Sequence, residues 1–231
     1  MNVEGKVIFV TGANRGIGKA LVMQALALGA RKVYSGVRER SHMQETQGVP
    51  ILLDVTDRDM IAQAAQACGD VDILINNAGI MASGPLLTAE GTTSLQRHME
   101  VNAWSLLDMA NAFAPILNRN GGGAIINLLS VLSWISIDQS GPYSASKAAA
   151  WAITNSLRLE LKSQQTQVLA VHPGYVDTDM TDGIDVPKMS PEKVAEESFK
   201  ALQGGESELV LSEVGLWIKH NLSAAAPPYL E

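Results

Sequence analysis

Short apolar runs rich in Val, Ile and Leu recur along the chain, and stretches whose apolar residues have helical spacing lie between them. Apolar runs bounded by Gly, Pro, Asn or Asp are typical of buried strands. The predicted strands cover residues 6–11, 31–37, 49–54, 72–76, 124–130, 168–172 and 209–211. This alternation predicts an α/β fold with a parallel sheet of about seven strands.

The predicted helices have an apolar stripe and recognisable ends. The first carries Ile17, Leu21, Ala25 and Leu28 on one face and ends at Gly29. Helices are predicted over residues 17–28, 57–68, 92–119, 141–164 and 190–203. No linker or repeat interrupts the pattern, so we expect one domain over residues 1–231, with helices on both faces of a doubly wound sheet.

The composition is that of an ordinary globular protein. Of 231 residues, 46% are hydrophobic and 18% are charged, and Cys68 is the single cysteine. One cysteine excludes an internal disulfide and a thiolate metal cluster, and it favours a reducing, cytoplasmic setting. The N-terminus has no signal-peptide pattern, and no run of about 18 apolar residues occurs, so we expect no membrane partner.

Charge is unevenly distributed along the chain. The net charge of -7 at pH 7 argues against nucleic acid as the main partner. Residues 1–40 nevertheless carry seven Lys or Arg against two acidic residues. This basic region suits a small polyanionic ligand, although a random fluctuation in composition is the equal alternative.

A glycine-rich turn follows the first predicted strand and precedes the first predicted helix. Its glycines are Gly12, Gly16 and Gly18, with the spacing Gly-x-x-x-Gly-x-Gly. Glycines in this context let the backbone approach a pyrophosphate, and the helix N-terminus offers N–H groups to it. Ala20 follows Lys19 where a P-loop has Ser or Thr, so the turn indicates a dinucleotide rather than a nucleoside triphosphate. A tight turn without a ligand is the alternative.

The residues after the second predicted strand bear on the choice of cofactor. An acid there holds the ribose 2′-OH of NAD, whereas a basic residue accommodates the 2′-phosphate of NADP. Arg38 follows Val37, and Arg15 stands in the glycine turn. The two guanidinium groups favour NADPH, but Glu39 lies one residue further on and leaves NADH open.

Tyr143 and Lys147 are four residues apart at the start of a predicted helix. Residues at this spacing share one helical face, so the ammonium can lie beneath the phenol. A neighbouring cation lowers the pKa of a phenol, which is about 10 in water. The pair is therefore a candidate proton donor and acceptor, although the spacing alone more often marks a solvated helix face.

Taken together, the motifs resemble those of the classical short-chain dehydrogenase/reductase family over essentially the whole chain. The separation of 13 residues between Ser130 and Tyr143 is also typical of that family. The matching residues occur in the family's order: Thr11, Gly12, Gly16, Gly18, Asp54, Val55, Asn76, Asn77, Ala78, Gly79, Asn102, Ser130, Tyr143, Lys147, Pro173 and Gly174. The resemblance implies a single-domain Rossmann fold.

The resemblance also implies roles for four catalytic residues. Tyr143 would be the general acid that protonates the carbonyl oxygen as hydride arrives, and the base in the reverse reaction. Ser130 would hold that oxygen by a hydrogen bond. Lys147 would lower the pKa of Tyr143 and bind the nicotinamide ribose, and Asn102 would place a water that relays protons to Lys147.

The implied cofactor is NADPH or NADP, with NADH as the second choice, and no metal is expected. Asp54 and Val55 would meet the adenine, and Thr178 would touch the carboxamide or the phosphates. The set implied for cofactor binding is Gly12, Asn14, Arg15, Gly16, Ile17, Gly18, Arg38, Asp54, Val55, Asn77, Ala78, Gly79, Tyr143, Lys147, Pro173, Gly174, Val176 and Thr178.

Members of the family have a substrate lid after the Pro-Gly motif. In this chain the corresponding segment, residues 177–189, is short. Met180, Ile184, Val186 and Met189 give this segment an apolar face, which suggests a hydrophobic or bulky ketone or aldehyde as substrate. The leading interpretation is an NADPH-preferring carbonyl reductase that acts reversibly. The alternatives are an NAD-linked alcohol dehydrogenase and, more remotely, a non-catalytic dinucleotide-binding regulator. The resemblance further implies a homodimer or homotetramer.

A few aromatic and histidine residues fall outside these motifs. His42, His98 and His220 have no partner pattern and are expected at the surface. His172 ends a predicted strand and is expected to be structural rather than an acid or base. Trp134 either lines the substrate pocket or packs in the core.

Overall fold

The computed structural model describes residues 1–230. Seven parallel strands form its central sheet: β1 (Val7–Thr11), β2 (Lys32–Val37), β3 (Val49–Leu52), β4 (Ile73–Asn76), β5 (Gly123–Leu128), β6 (Thr166–His172) and β7 (Glu208–Val210). Their order across the sheet is β3-β2-β1-β4-β5-β6-β7. All seven predicted strands are confirmed, and their ends differ from the predicted ones by at most two residues.

Helices cover both faces of this sheet, which confirms the predicted doubly wound architecture. They are α1 (Gly16–Ala27), α2 (Arg58–Ala67), α3 (Gly91–Met99), α4 (Ser105–Arg119), α5 (Gly141–Glu160), α6 (Pro191–Gln203) and α7 (Glu213–His220). The helices α1 and α6 pack on one face, and α2, α4 and α5 pack on the other. Among residues 1–230, none of the helices combines the length and the hydrophobicity that crossing a bilayer requires.

The central strands are apolar throughout because both of their faces are buried. Successive side chains of a strand point to opposite faces. Ile8 and Ile75 accordingly pack in the core under α1 and α6, whereas Phe9 and Leu74 pack in the core under the other helices. The ring of Phe9 lies 5.1 Å from that of Phe113 on α4, measured between centroids.

The winding of the chain leaves a crevice at the carboxyl edge of the sheet, between β1 and β4. The strand β1 pairs with β2 on one side and with β4 on the other, so the winding direction reverses there. In open parallel sheets, a crevice forms at the carboxyl ends of the strands at such a point. The glycine turn follows β1 and Asn77 follows β4, so both flank this crevice.

The helix predicted over residues 92–119 is interrupted. After α3 the chain makes a π-helical turn over Glu100–Trp104, and then α4 begins. Within that turn, the side chain of Asn102 forms hydrogen bonds to the N–H and the carbonyl oxygen of Ile80, at 2.9 and 3.0 Å. These bonds draw the wide turn toward the loop after β4, a contact that apolar periodicity does not reveal.

The sequence pattern did not predict α7. The hydroxyl of Ser212 accepts the N–H of Gly215 at 3.0 Å and caps the first turn of this helix. The helix has eight residues and leaves Leu216 and Trp217 exposed. So short a segment gives little periodic signal, and tertiary packing rather than intrinsic propensity stabilises it.

Candidate active site

A large cavity opens at the carboxyl edge of the sheet, at the crevice between β1 and β4. Its volume is about 1320 Å³, which exceeds the range of about 300–1,000 Å³ that is usual for small-molecule pockets. All eighteen residues predicted to bind the cofactor line it, and so does Ser130. The fold therefore brings residues from seven separate stretches of sequence to one place.

The glycine turn forms one wall of this cavity. Gly12 and Gly16 have φ angles of 64° and 52°, in the left-handed region that favours glycine. The amide nitrogen of Asn77 donates hydrogen bonds to the carbonyl oxygens of Thr11 and Gly12, at 2.9 and 3.1 Å. Within the described chain, no side chain caps the first turn of α1, so its N–H groups are available to an anion.

The two arginines predicted to contact the cofactor phosphate each have an acidic neighbour. Nη1 of Arg15 lies 2.7 Å from Oδ2 of Asp179. Nη2 of Arg38 lies 3.4 Å from Oε1 of Glu39. Exposed pairs of this kind contribute only about 0–1 kcal/mol, so a phosphate can compete for either guanidinium group.

Tyr143 and Ser130 approach each other on the opposite wall. Tyr143 lies in the first turn of α5, and Ser130 follows β5. Burial raises the pKa of Tyr143 to about 12, against the opposing effect of a hydrogen bond with Ser130. Burial is therefore the largest influence on this phenol, and the lowering of its pKa by Lys147 that the resemblance implies remains a prediction. Spacing along a helix revealed the neighbouring cation but not the cost of burying a phenolate.

Lys147 is buried beside Tyr143. Its Nζ donates a hydrogen bond to the carbonyl oxygen of Leu128 at 2.8 Å and lies 5.8 Å from the centroid of the Tyr143 ring. Burial lowers the pKa of Lys147 to about 8. The amine thus donates to the backbone of β5 while it stays near the phenol ring.

We expect the free energy of unfolding to rise with pH between about 8 and 10.5 because of Lys147. The folded protein binds the proton of Lys147 only below about pH 8, whereas the unfolded chain binds it below 10.5. In that window the unfolded state holds more protons, so raising the pH stabilises the folded state, by up to about 3 kcal/mol. The free energy of unfolding of the wild type minus that of Lys147→Met, from urea unfolding, should show this rise. The opposing contribution of the Cys68 thiol, whose pKa burial raises to about 12, is common to both proteins and cancels in the difference. A difference that stays constant across the window would contradict the assignment.

Among the four catalytic candidates, Asn102 does not line the cavity. Besides its two bonds to Ile80, it donates a hydrogen bond to Oγ of Ser146 at 2.9 Å. Its side chain thereby joins the loop after β4 to α5, one helical turn from Tyr143. The water relay implied by the family resemblance remains a prediction.

The prediction that His98 lies at the surface is wrong. His98 is 1% exposed, and its ring meets the ring of Tyr143 edge to face, with centroids 6.3 Å apart. Nδ1 bonds to the carbonyl oxygen of Ser94 at 2.7 Å, and Nε2 accepts the N–H of Ala82 at 3.0 Å. The His98 ring therefore packs against the ring of Tyr143. Its position four residues before Asn102 was the available signal.

The structure also shows where the other two histidines, His42 and His220, and the indole of Trp134 lie. His220 is exposed, as predicted, whereas His42 is half-buried at the cavity and lies 3.4 Å from Asn14. Trp134 packs rather than lining the cavity, and its indole stacks on the buried ring of His172 with centroids 4.1 Å apart.

Much of the apolar cavity wall comes from side chains that the sequence did not single out. They follow β5 or lie on α7: Leu132, Ile135, Ile137, Val214 and Ile218. Of the four apolar residues of segment 177–189, Met180 and Met189 line the cavity, but Ile184 and Val186 do not. The apolar character of this wall therefore depends more on α7 and the loop after β5 than on the predicted lid.

Comparison with known proteins agrees with this geometry. The family model described as short chain dehydrogenase matches residues 6–188. A 3-oxoacyl-acyl-carrier-protein reductase of Thermotoga maritima is 30% identical over 217 residues, which cover 89% of this chain and 85% of the relative. The 11-beta-hydroxysteroid dehydrogenase A of Sesamum indicum is 33% identical over 195 residues, but these cover 79% of this chain and 56% of that relative.

A solved structure gives the same result at the level of the fold. A short chain dehydrogenase from Burkholderia cenocepacia, in complex with NADP, superposes with a TM-score of 0.92 at 38% sequence identity. The alignment covers 97% of this chain and 95% of the other. With the family match over most of the chain, the conclusion is direct: the chain belongs to the short-chain dehydrogenase/reductase family of NAD(P)-dependent oxidoreductases.

Proposed function

We propose that the protein is an NADPH-preferring oxidoreductase that reduces the carbonyl group of a ketone or aldehyde to an alcohol, reversibly. The observation that carries this proposal is the convergence of Ser130, Tyr143 and Lys147 on one wall of the cavity that the glycine turn bounds on another. A hydroxyl, a phenol and an amine in one buried place can orient and protonate a carbonyl oxygen.

The glycine turn fits a dinucleotide. A Cβ atom at Gly12 would lie 3.0 Å from Cα of Ala78, and one at Gly16 would lie 3.1 Å from Cγ2 of Thr178. Side chains at these positions would therefore fill the cleft beside the N-terminus of α1, where a pyrophosphate is best held. Asp54 and the other members of the predicted binding set would hold the rest of the dinucleotide.

Each catalytic residue has its own role in the protonation of the carbonyl oxygen. Tyr143 keeps its proton at neutral pH, because its pKa is about 12, and donates it to the oxygen as negative charge develops. Ser130 donates a second hydrogen bond to the same oxygen. Lys147, with a pKa of about 8, is mostly protonated at neutral pH and stabilises the negative charge left on Tyr143. The nicotinamide, when bound, supplies the hydride.

The apolar wall supports a hydrophobic or bulky substrate. The side chains of Leu132, Ile137 and Val214 face the same cavity as Tyr143. Burying a substrate's apolar surface there contributes roughly 25 cal/mol per Å². A ketone or aldehyde with an alkyl or aryl group would therefore bind better than a small polar carbonyl compound.

We expect the protein to bind NADPH more tightly than NADH, and Arg38→Leu to remove most of that preference. A hydrogen bond to a charged group contributes about 1.5–3 kcal/mol, so NADPH binding should weaken about 10- to 100-fold. NADH lacks the 2′-phosphate, so its affinity should change little. Fluorescence titration of both cofactors measures this, with Arg40→Leu as the matched control, since Arg40 is exposed and does not line the cavity.

The other outcomes distinguish the remaining functions. Tighter binding of NADH would mean that Glu39 contacts the ribose, in favour of an NAD-linked alcohol dehydrogenase. Binding of NADPH without turnover of any carbonyl in a hydrophobic panel would favour a non-catalytic dinucleotide-binding regulator. Binding of neither cofactor would contradict the dinucleotide site itself.

We also propose a homodimer or homotetramer that pairs through the helices on the α4 and α5 side. Trp104, just before α4, and Leu159 on α5 are 46% and 77% exposed, and burying such side chains between copies is favourable. A cytoplasmic setting and a single domain over residues 1–231 with a short lid remain predictions from the sequence.

A further inference from the structure

His172 is a buried titratable group that the proposed reaction does not use. It ends β6 and is fully buried. Its Nδ1 lies 2.9 Å from the carbonyl oxygen of Ser130, and its Nε2 lies 3.2 Å from Oε1 of Glu208 on β7. One face of the ring is covered by Trp134. The ring thus lies directly between the backbone of a catalytic residue and a carboxylate.

The partners of His172 determine its hydrogen-bonding state. A backbone carbonyl oxygen and a carboxylate oxygen can only accept hydrogen bonds. The short contact with the carbonyl oxygen of Ser130 therefore requires an N–H at Nδ1 of His172. The contact from Nε2 to Glu208 is not aligned as a hydrogen bond. Within residues 1–230, the bond to Ser130 is thus the one aligned hydrogen bond of the ring.

Glu208 lies on the Nε2 side of the His172 ring. The contact with His172 lowers the pKa of Glu208 to about 2, and the ammonium of Lys219 adds to that effect, whereas burial opposes it. The carboxylate is therefore ionised at neutral pH. Within residues 1–230, the charged groups facing His172 are this carboxylate and, beyond it, Lys219.

The same contacts connect His172 to the substrate side of the cavity. Glu208 pairs through its second oxygen with Nζ of Lys219 on α7. Two other residues of α7, Val214 and Ile218, line the cavity. A line of polar side chains thus runs from the helix that forms part of the apolar wall, through β7 and β6, to the carbonyl of Ser130.

The backbone of Ser130 is held from two directions. Its carbonyl oxygen accepts the N–H of Ser133 at 3.0 Å in addition to the bond from His172. Its hydroxyl oxygen accepts the N–H of Leu132 at 3.1 Å. Losing the His172 bond would leave this carbonyl oxygen held only by the N–H of Ser133, although the N–H of the same peptide, from Val131, still donates to the carbonyl oxygen of Pro173 at 3.2 Å. The hydroxyl could then rotate away from Tyr143.

We propose that His172, packed between Trp134 and Glu208, is a positioning residue that fixes the Ser130 hydroxyl against Tyr143 through its hydrogen bond to the Ser130 carbonyl oxygen. It acts through the carbonyl of Ser130 and touches neither the substrate nor the cofactor. The proposal rests on the proposed function, because it assigns catalysis to Ser130 and Tyr143. It adds that the position of α7 and the orientation of Ser130 are linked.

Two substitutions of His172 separate its hydrogen bond from its bulk. In His172→Asn, the side-chain amide can place an N–H near the former Nδ1, so the bond to Ser130 is retained. In His172→Leu, both polar contacts are lost. With acetophenone as a hydrophobic ketone probe, we expect kcat to fall at least about tenfold in the leucine variant, the scale of one lost hydrogen bond. We expect it to stay within about threefold in the asparagine variant, with NADPH affinity unchanged in both.

Nuclear magnetic resonance tests the proposal without turnover. In the wild type, the signal of Nδ1 of His172 should be that of a protonated nitrogen that donates a hydrogen bond. The carbon that bears the hydroxyl of Tyr143 should shift in His172→Leu but not in His172→Asn.

Several outcomes would overturn the proposal. One is an unprotonated Nδ1 of His172 in the wild type. Another is an unchanged Tyr143 signal in His172→Leu, or equal losses of kcat in both His172 variants. If His172→Leu does not fold, the Tyr143 signal in His172→Phe decides, since phenylalanine keeps a ring against Trp134 and lacks the hydrogen bond to Ser130. Absence of carbonyl turnover with these signals as expected would instead count against the proposed function alone.

Discussion

Tyr143→Phe should abolish most turnover while leaving the fold and NADPH binding nearly intact. The substitution removes a single oxygen, the atom that we assign as proton donor to the carbonyl oxygen. General acid catalysis contributes about 10²–10⁴-fold, and no other acid of comparable position stands beside Ser130 within residues 1–230. Stopped-flow or steady-state oxidation of NADPH with a hydrophobic ketone measures the loss, and fluorescence titration measures the retained affinity.

The control for this substitution is another tyrosine of the same cavity. Tyr175 also lines it, but its side chain is 38% exposed and comes from the loop after β6 rather than from α5. Tyr175→Phe should therefore keep most of the turnover. If Tyr143→Phe retained a comparable rate, the proton would have another donor and the assigned mechanism would be wrong.

Most of the fold was predictable because the apolar runs and the turn residues indicate the same strands and helices. Strands buried on both faces give continuous apolar runs, so Phe9 and Ile75 could be placed in a core before their partners were known. The glycine turn marked the point where β1 meets α1. The wide turn at Asn102 was not predictable, since its cause is a contact with Ile80, twenty-two residues away in sequence. The short helix α7 gave too little periodic signal.

The candidate site was likewise predictable where it depends on local spacing, and not where it depends on the whole fold. Motif spacing identified Tyr143 and Lys147 as neighbours, because neighbours four residues apart on a helix are a local property. The pKa values of the two groups depend on burial by the whole fold, and in both cases burial is the largest effect. His98 was placed at the surface for the same reason. Its partners come from a loop and from its own helix, and neither leaves a recognisable motif.

Gly18→Ala should destroy cofactor binding and destabilise the fold. A Cβ atom at Gly18 would overlap the carbonyl oxygen of Gly12 and would lie 2.6 Å from Nδ2 of Asn77. The carbonyl oxygen of Gly12 belongs to the backbone and cannot rotate away, so α1 would have to move away from the end of β1. Overpacking of this kind costs about 1–3 kcal/mol and occasionally more. The movement would also displace the N–H groups that we assign to the pyrophosphate.

Thermal unfolding and NADPH titration of the same preparation measure the two effects, at a temperature where the variant is still folded. Gly69→Ala is the matched control, because a Cβ atom at Gly69 meets nothing within 4 Å. We expect the control to keep its affinity and Gly18→Ala to lose at least about 100-fold, since several charged hydrogen bonds of about 1.5–3 kcal/mol each depend on the turn. Normal affinity in Gly18→Ala would show that the cofactor does not depend on the close approach of β1 and α1. In that case the alternative reading of the motif, a tight turn without a ligand, would be correct.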